Sequence, residues 1–349
     1  MGGRTTTSRS RAFCLPIFFL FACLRISAQS AGDYGRAMAE FRAGNYAAAA
    51  ALFSKAEAAS PGTTDALLYA GKSFVHLQNY AEAESAIRIY QVQHPDSEDA
   101  LYLLGFVLHR EGKLVESLET YTEAAARRTP LGDDLKIVGL NYVLLNDYGD
   151  AIKWLEKAVE IDPRNKDAWY YLGRAYYTES RLAAARKAFL IVLDLDPRDV
   201  KAENNLGLIF ESEAKPDDAI EAYQKAIAWQ EHAVHPSEQP YLNLGNLLLD
   251  LDRIDEAIPA LNKALELAPN NAICHLKLGT AYLRRGQFKE AQQSLEKATQ
   301  LDPENAAAHY QLGKLYKQIH AADRAKAEFD RTAELQTRAA GAKSQKPKP

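Results

Sequence analysis

The sequence has few of the residues and motifs on which catalytic and metal sites depend. It has three cysteines, two methionines and three tryptophans in 349 residues. It shows no glycine-rich phosphate loop with its lysine, no His-Glu-x-x-His, no paired Cys-x-x-Cys and no nucleophile elbow. Its scattered carboxylates are explained as exposed faces of helices. These absences favour a protein that is not an enzyme and that has no cofactor and no metal site.

The chain also has no excess of basic residues over acidic ones. The chain has 42 lysine and arginine residues against 46 aspartate and glutamate residues, for a formal net charge of −4. Generic nucleic-acid binding needs a basic face, so this balance argues against it. Of the three cysteines, Cys14 and Cys23 lie near the amino terminus and Cys274 lies in the body of the chain. We interpret Cys274 as a packing residue, because a reactive thiol needs an electropositive site that the sequence does not show.

The amino-terminal segment has the pattern of an export signal. Arginines precede an apolar run from Ala12 to Leu24 that is too short to span a membrane as a helix. Small and polar residues follow, so we predict a signal peptide over residues 1–28 and no membrane span after its cleavage. Two alternatives are open, a lipobox with a lipid anchor on Cys23 and an uncleaved anchor. The protein is therefore expected to be exported, either periplasmic or secreted, or lipid-anchored in the envelope.

The feature that the chain does have is a repeat marked by glycine. Eight of its 19 glycines stand in one register, with every gap equal to 34 residues except one of 38. They are Gly71, Gly105, Gly139, Gly173, Gly207, Gly245, Gly279 and Gly313. A large apolar residue follows each glycine by three positions, a small residue by twelve and another large residue by sixteen. A period of this length indicates a stack of repeats, and spacings of three and four mark one face of a helix.

Each repeat is predicted to be a pair of antiparallel helices, A and B. The glycine of helix A is expected to meet the small residue of helix B where the two backbones come closest, so a bulky residue there would overpack the pair. Proline stands 24 residues after the glycine position in most repeats. It cannot continue helix B, and the chain turns into the next repeat. The predicted fold class is all-α.

One stretch resembles the tetratricopeptide repeat, TPR, almost residue for residue. Its matching residues are Trp169, Leu172, Gly173, Tyr176, Ala185, Phe189 and Pro197. The resemblance implies a TPR α-solenoid, a right-handed superhelix of about nine helix-turn-helix repeats. Phased on this pattern, the repeats occupy residues 30–63, 64–97, 98–131, 132–165, 166–199, 200–233, 238–271, 272–305 and 306–339, with an insertion at 234–237. Residues 340–349 are predicted to form a disordered basic tail.

The resemblance also implies a partner-binding groove, because helix A lines the concave face in proteins of this family. The residues beside each glycine are the expected contacts. The candidates are Tyr102, Phe106, Tyr170, Arg174, Tyr177, Asn204, Asn205, Asn243, Asn246, Lys277, Arg284 and Lys314. A carboxamide both donates and accepts, so the asparagines suit a peptide backbone of any sequence. The alternative is that these polar side chains are only solvated helix faces.

Two pairs of histidines are candidate metal ligands by residue type. His232 and His235 lie in the segment around the insertion, roughly Gln230 to Pro240, and we interpret them as part of a solvated connector. His275 and His309 are one repeat apart and take the position of Trp169 in its own repeat, so packing explains their spacing. Neither pair indicates a metal.

The sequence as a whole predicts a non-enzymatic protein–protein interaction scaffold of the bacterial cell envelope. It would bind an extended peptide or a helix of a partner protein in its groove. The alternative is an accessory or substrate-presenting subunit of an envelope enzyme such as a glycosyltransferase or peptidase. Because the leader, the repeats and the tail account for the residues of the chain, no catalytic domain is expected.

Overall fold

The computed structural model describes residues 32–62 and 64–344 of the chain. All regular secondary structure in these residues is α-helical, and the helices form nine consecutive A–B pairs. The predicted all-α repeat fold is therefore confirmed. The chain divides into two compact units, and the division falls between Ala168 and Trp169. The predicted signal peptide lies outside the described residues.

Unit 1 holds the first four helix pairs and the beginning of the fifth A helix. The A helices are α1 (32–42), α3 (Ala66–His76), α5 (Glu98–Arg110), α7 (Gly132–Leu144) and α9 (Lys166–Thr178), whose first turn contains the division. The B helices are α2 (Tyr46–Ala59), α4 (Tyr80–Gln93), α6 (Leu114–Ala125) and α8 (Tyr148–Ile161).

Unit 2 holds the rest of α9 and the helices that follow it. The A helices are α11 (Val200–Ser212), α13 (Gln239–Asp250), α15 (Ala272–Arg285) and α17 (Ala306–Gln318). The B helices are α10 (Leu182–Leu195), α12 (Pro216–Trp229), α14 (Ile254–Leu267), α16 (Phe288–Leu301) and α18 (Ala322–Ser344).

Short polar side chains begin many of the A helices. The Ser97 hydroxyl accepts a hydrogen bond from the Ala100 backbone N–H at 3.3 Å, and Asp199 Oδ1 accepts from the Ala202 N–H at 2.9 Å. Asn305 Oδ1 accepts from the Ala308 N–H at 3.1 Å. Each of these caps satisfies a backbone donor that has no partner within the helix. The A helices therefore start at defined residues, with the cap two positions after the repeat proline and the first helical residue three positions after it in each of these cases.

Each turn from an A helix to its B helix places one residue in the left-handed region of backbone space. These residues have φ between 56° and 80° and stand seven positions after the glycine position: Gly44, Gln78, Gly112, Asn146, Ser180, Ala214, Asp252, Gly286 and His320. Left-handed backbone is strained for side chains with a Cβ and costs glycine little. The packing of the helix pairs therefore imposes one turn geometry on nine different sequences.

The repeat glycines face large side chains of their B helices. A Cβ added to Gly71 would lie 2.7 Å from Ile87 Cγ1, and one added to Gly245 would lie 2.6 Å from Leu261 Cγ. The expectation that glycine meets the small residue is therefore wrong in detail. The nearest atoms belong to the large residue sixteen positions on, and the small residue contributes its backbone oxygen, as Ala83 does at 3.6 Å from the added Cβ. A B helix can press its bulkiest side chain against the A backbone only where the A residue has none.

The cores run through the helix pairs within each unit. Phe53, Ile87 and Leu108 are fully buried in unit 1, and Tyr223 and Leu261 are fully buried in unit 2. Burying one such side chain stabilises a fold by about 1.5–3 kcal/mol relative to leaving it exposed. The small residues twelve positions after the glycines are buried too, which allows the paired helices to approach closely.

The four-residue insertion follows α12 and is held by one amide. Gln230, which is buried, donates from Nε2 to the Ser237 carbonyl oxygen at 2.8 Å and accepts from the Ser237 backbone N–H at 2.8 Å. This double hydrogen bond closes the extra residues into a loop before α13 begins. The longer gap between Gly207 and Gly245 is absorbed there.

The last helix runs further than predicted. α18 continues to Ser344, so residues 340–344 are helical and the predicted disorder of this part of the tail is wrong. Thr337 stands at the position where other repeats have proline, so no residue blocks the helix and the alanine-rich sequence extends it. Residues 345–349 lie outside the described residues.

Candidate partner-binding groove

The A helices of successive repeats lie side by side within each unit. In unit 2, α11 contacts α13, α13 contacts α15 and α15 contacts α17. A pocket of about 350 Å³ opens over α9, α11 and α13, and we call it the α9–α11–α13 pocket. It is lined by Tyr170, Arg174, Val200, Lys201, Asn204, Asn205, Leu208, Ser237, Gln239 and Pro240. Four predicted groove residues, from two successive A helices, therefore meet at one place.

A chain of amides crosses this pocket. Gln239 Nε2 donates to Asn243 Oδ1 at 2.8 Å, and Asn243 Nδ2 donates to Asn204 Oδ1 at 3.0 Å. Asn205 Nδ2 donates to the Lys201 carbonyl oxygen at 2.7 Å and lies 3.5 Å from the Tyr170 hydroxyl oxygen. Among the described residues nothing accepts from Asn204 Nδ2, and nothing donates to Asn205 Oδ1. The amides are held in place and still offer both a donor and an acceptor.

Two cations stand at the same pocket without internal partners. The side chains of Arg174 and Lys201 are exposed, and within the described part of the chain neither makes a hydrogen bond or an ion pair. The pocket lining contains no carboxylate. Of the two acids on α11, Glu203 is buried, which raises its pKa, and Glu211 accepts a hydrogen bond from the Tyr223 hydroxyl. Positive charge at this pocket is therefore uncompensated by its own walls.

Unit 1 has a pocket at the equivalent place. It has a volume of about 420 Å³ and lies over α3, α5 and α7, so we call it the α3–α5–α7 pocket. It is lined by Lys72, Asp99, Tyr102, Leu103, Phe106, Tyr121, Asp133, Asp134, Lys136 and Ile137. Two of the predicted groove residues, Tyr102 and Phe106, lie here. Its walls are more aromatic than those of the unit 2 pocket and contain both signs of charge.

Most polar groups of the α3–α5–α7 pocket have partners within unit 1. Asp133 Oδ1 accepts from Lys136 Nζ at 2.7 Å, and this hydrogen bond lowers the pKa of Asp133. Asp134 Oδ2 accepts from the Leu131 backbone N–H at 2.8 Å, while burial raises the pKa of its carboxyl. Lys72 Nζ lies 4.8 Å from the centre of the Tyr69 ring. The pairs made by Asp133 and Asp134 stabilise the wall itself, whereas Lys72 and Asp99 make no ion pair within the described residues.

A buried polar network lies behind the same wall. His109 Nδ1 donates to Asn141 Oδ1 at 2.7 Å, Asn141 Nδ2 donates to the Ser117 hydroxyl at 2.8 Å, and that hydroxyl donates to the Gly105 carbonyl oxygen at 2.7 Å. Asn141 and Ser117 are fully buried. Burial lowers the pKa of His109, which favours the neutral ring. Each buried polar group is thus paired, as a buried network requires.

Two predicted groove residues are less exposed than expected. Tyr102 and Asn204 are each only 6% exposed, so the expectation of a solvent-facing side chain is wrong for both. The Arg128 guanidinium covers the Tyr102 ring at 4.1 Å, and the Tyr102 hydroxyl donates to the Arg128 carbonyl oxygen at 2.6 Å. Asn204 is covered on the side where Asn243 donates to it. Both still touch a pocket with part of the side chain.

The remaining candidates lie outside the α9–α11–α13 pocket, and their part in binding stays a prediction. The Tyr177 hydroxyl lies 3.3 Å from Ser212 Oγ, and Arg284 Nη1 donates to the Leu249 carbonyl oxygen at 2.6 Å. Lys314 Nζ lies 5.9 Å from the Tyr310 ring centre, and Lys277 is half-buried. Asn246 Oδ1 is buried and has no hydrogen-bond partner within the described residues.

Six lining residues were missed from the sequence: Val200, Lys201, Leu208, Ser237, Gln239 and Pro240. Lys201 and Gln239 each stand six positions before a repeat glycine, one turn before the predicted positions, so the repeat register contained a signal for them. Ser237 and Pro240 come from the insertion and the first turn of α13. No periodic signal marks them, because the insertion breaks the period.

The histidines and the cysteine that were candidates for metal or thiol chemistry pack within the protein. His275 Nε2 lies 2.9 Å from the Pro269 carbonyl oxygen, and His309 Nε2 lies 3.1 Å from the Pro303 carbonyl oxygen, which supports the packing interpretation of this pair. Cys274 is buried in the core of unit 2, and burial raises the pKa of its thiol to about 11. Within the described residues, no three histidine, cysteine or carboxylate side chains are grouped to hold a metal ion.

None of the described helices has both the length and the apolar composition of a membrane span.

Family models for tetratricopeptide repeats match the chain along most of its length. Models described as tetratricopeptide repeat match residues 34–98, 68–132, 180–233, 237–304 and 282–345. A model described as TPR repeat matches residues 139–180.

Curated relatives are similar over part of the chain. The BBSome complex member BBS4 of Bos taurus is 28% identical over 199 residues, which are 56% of this chain and 37% of that protein. The anaphase-promoting complex subunit CDC16 of Saccharomyces cerevisiae is 23% identical over 206 residues, which are 57% of this chain and 24% of that protein. The match to each thus spans well under half of the relative.

Solved structures show the same fold. A tetratricopeptide repeat protein from Parabacteroides merdae superposes with a TM-score of 0.58 at 19% identity, covering 71% of this chain and 96% of that one. The hetero-tetramer Cut9–Hcn1 of the anaphase-promoting complex gives a TM-score of 0.58 at 18% identity, covering 77% of this chain and 52% of that one. At this identity the likeness concerns the fold alone.

Proposed function

Because the chain belongs to the tetratricopeptide repeat family, we propose that it is a non-enzymatic scaffold that holds an extended peptide or a helix of a partner protein against its A helices. Repeats of this kind generally serve protein–protein interaction. The observation that carries the proposal is the meeting of Tyr170, Arg174, Asn204 and Asn205 at the α9–α11–α13 pocket. A pocket with fixed amides and free cations is suited to recognition, since it offers ordered donors without an internal partner for its charge.

A place within a larger assembly is supported by the relatives. The bovine relative is a member of the BBSome complex, and the yeast relative is a subunit of the anaphase-promoting complex. Both are subunits, and neither name describes an isolated enzyme. By this likeness the protein would contribute contacts within a multi-protein complex, and the complex itself would differ, since the match spans only part of each relative.

Export to the cell envelope is part of the proposal. It is supported by the apolar run from Ala12 to Leu24 and the small residues that follow it, and the lipid anchor on Cys23 is the alternative attachment. The mass of the mature protein tests this step, because cleavage near residue 28, lipidation at Cys23 and retention of the leader give three different masses. An accessory role beside an envelope enzyme remains the alternative function, and recovery of such an enzyme as the cross-linked partner would favour it.

Site-specific photo-cross-linking in cells tests the scaffold. A benzoylphenylalanine residue replaces Tyr177, which lies on the A-helix face one turn from the pocket. The matched control carries it at Leu190, an exposed position on the B helix α10. We expect a defined cross-linked protein band from the Tyr177 position that is absent from the Leu190 position. Equal labelling from both positions, or none from either, would contradict binding at the A helices.

A further inference from the structure

The α9–α11–α13 pocket differs in the sign of its charge from the protein as a whole. The protein as a whole is acidic, with a formal net charge of −4, yet this pocket is lined by Arg174 and Lys201 and by no carboxylate. Across the described residues, ion pairs occupy many of the other lysines and arginines, such as Lys215 with Glu213 at 2.7 Å and Lys225 with Glu221 at 2.7 Å. Two cations without partners, in a lining that has no carboxylate, therefore give this pocket a positive charge that the chain as a whole does not have.

We propose that the pocket selects an acidic peptide segment, with Arg174 and Lys201 binding the side-chain carboxylates of aspartate or glutamate residues. This rests on the proposed scaffold function and adds the chemistry of its partner. Arginine and lysine form charge-assisted hydrogen bonds with carboxylates, and such bonds are stronger than those between neutral groups. The guanidinium and the ammonium come from different A helices, α9 and α11, so the pocket addresses more than one acidic side chain of the segment.

The amides supply the complementary contacts to the peptide backbone. Asn204 has its carbonyl oxygen engaged by Asn243 and its Nδ2 without a partner, while Asn205 has its Nδ2 engaged and its Oδ1 without a donor. One side chain therefore offers a donor and its neighbour offers an acceptor, which is the pair that an extended peptide backbone needs. Asn204 is almost fully buried and held by a hydrogen bond, so little side-chain entropy is lost when it binds.

The Tyr170 ring completes the recognition surface. It packs edge-on against Phe189, with the ring centres 5.9 Å apart, and its hydroxyl oxygen faces Asn205. The ring is thus fixed in place beside the two cations. Together with Val200, Leu208 and Pro240, it provides apolar wall for the methylene groups of glutamate side chains. The pocket combines positive charge, amides and a modest apolar wall, which matches a glutamate-rich segment better than a bare anion.

Fluorescence anisotropy with synthetic peptides tests the inference on the full-length mature protein. The probe is a fluorescein-labelled peptide of alternating glutamate and serine with an amidated carboxyl terminus. A peptide with glutamine in place of each glutamate has the same length and shape without the charge. A third peptide keeps the glutamines and has a free carboxyl terminus, so that its terminal carboxylate is its one acidic group. We expect the glutamate peptide to bind at least about tenfold more tightly than either of the other two.

Paired variants locate the effect. The variant R174Q/K201Q removes both pocket cations, and its matched control, K187Q/K289Q, removes two exposed lysines of unit 2 that lie outside the pocket on α10 and α16. We expect R174Q/K201Q to weaken the glutamate peptide by about tenfold or more and the control to change it by less than about twofold. Because neither pocket cation has an internal partner, the thermal melt of R174Q/K201Q should match that of the unchanged protein.

The outcomes separate the inference from the function beneath it. Equal binding of the glutamate and glutamine peptides overturns the acidic specificity, and so does an equal loss of binding in both double variants. Preference for the peptide with the free terminus also overturns it, because it assigns the pocket to a chain end. If photo-cross-linking at Tyr177 still yields a partner in any of these cases, the scaffold stands and its ligand is not acidic. If the cross-link fails as well, the scaffold function is wrong.

Discussion

The α3–α5–α7 pocket of unit 1 and the α9–α11–α13 pocket of unit 2 stand at the same places of the same repeat, yet their polar groups do different things. In unit 1, Asp133 and Asp134 are paired within the wall. In unit 2, Arg174 and Lys201 have no partner within the described residues. The repeat thus determines the position of a side chain. The residues around that side chain determine whether it is paired within the protein or available to bind a partner protein.

The buried interior shows the same contrast. Unit 1 carries the His109–Asn141–Ser117 network where the corresponding positions of unit 2 are apolar: Ala175, Ile209, Leu247 and Ala281 take the place of Asn141 in successive A helices. Polar side chains in unit 1 therefore contribute to stability and specificity of packing. The two cations at the unit 2 pocket, Arg174 and Lys201, can be changed with little cost to folding, since they are exposed and have no partner within the described residues. Four experiments test this comparison.

The largest effect is expected at the contact between a repeat glycine and the large B-helix side chain, which both units share. Replacing Gly105 or Gly245 by leucine forces a side chain into the space of Tyr121 or Leu261, because even a Cβ would lie 2.8 Å or 2.6 Å from their nearest atoms. Overpacking costs about 1–3 kcal/mol, and both variants should reach the upper end. Urea unfolding measures it, and hydrogen exchange shows which unit is loosened. G149L, at an exposed glycine of α8, is the control, and a wild-type unfolding midpoint in either variant would contradict this account of the shared contact.

The next effect separates the units. N141A removes the centre of the buried network and leaves the Ser117 hydroxyl and His109 without their partner. Leaving a buried polar group unsatisfied costs about 1–3 kcal/mol, so unfolding should require less urea by roughly 2 kcal/mol of free energy. N243A, at the half-buried edge of the unit 2 pocket, should cost clearly less. An equal loss of unfolding free energy in N141A and N243A would contradict the view that Asn141 is a structural residue and that Asn243 is not.

A pH dependence sharpens the description of unit 1. Glu84 accepts from Lys113 Nζ at 2.6 Å and from Arg88 Nε at 2.7 Å, which ties α4 to α6. Burial alone would raise the pKa of Glu84, but these hydrogen bonds outweigh it and lower the pKa to about 2. A lowered pKa in the folded state means that the stabilisation is complete above the unfolded value of about 4.3 and is lost as the pH falls toward 2.

The measurement compares thermal melts of E84Q and the unchanged protein across this range. E84Q should melt lower at neutral pH, and the difference should shrink as the pH falls toward 2, where Glu84 is half protonated in the folded state and almost fully protonated in the unfolded state. The control is E221Q, which removes an exposed carboxylate paired with Lys225 on α12 and should change the melt little. A difference between E84Q and wild type that persists unchanged at low pH would contradict the charge account.

The smallest effect concerns the turns. Ala214 has φ of 56° and Gly112 has φ of 77° at equivalent positions of units 2 and 1. A214G relieves the left-handed strain of alanine and should raise stability by about 0.5 kcal/mol, since part of the gain is offset by the entropy of glycine in the unfolded chain. G112A should lower stability by a similar or slightly larger amount. Shifts of the same sign in the two melting temperatures would show that the turns are not equivalent.

Much of the fold was readable from the period. An all-α array of helix pairs was predicted from three periodic features: glycine at one register, a large residue sixteen positions later, and proline at the end of most repeats. These features are informative because a helix must bury one face, and a fixed spacing keeps that face aligned from repeat to repeat. The left-handed turn residues were not readable, since six of the nine are not glycine. The end of α18 was not predicted correctly, because the absence of proline at position 337 allows a longer helix but does not by itself predict one.

The candidate site divides in the same way. The register by itself determined that Tyr170, Arg174, Asn204 and Asn205 share the A-helix face, since each stands within a turn of a repeat glycine. Only the tertiary structure decided that Asn204 is buried, that Ser237 of the insertion and Pro240 of α13 line the pocket, and that Arg174 and Lys201 make no ion pair within the described residues. Periodicity specifies the direction of a side chain from its own helix, whereas burial and pairing depend on which atoms the adjoining helices bring within contact distance.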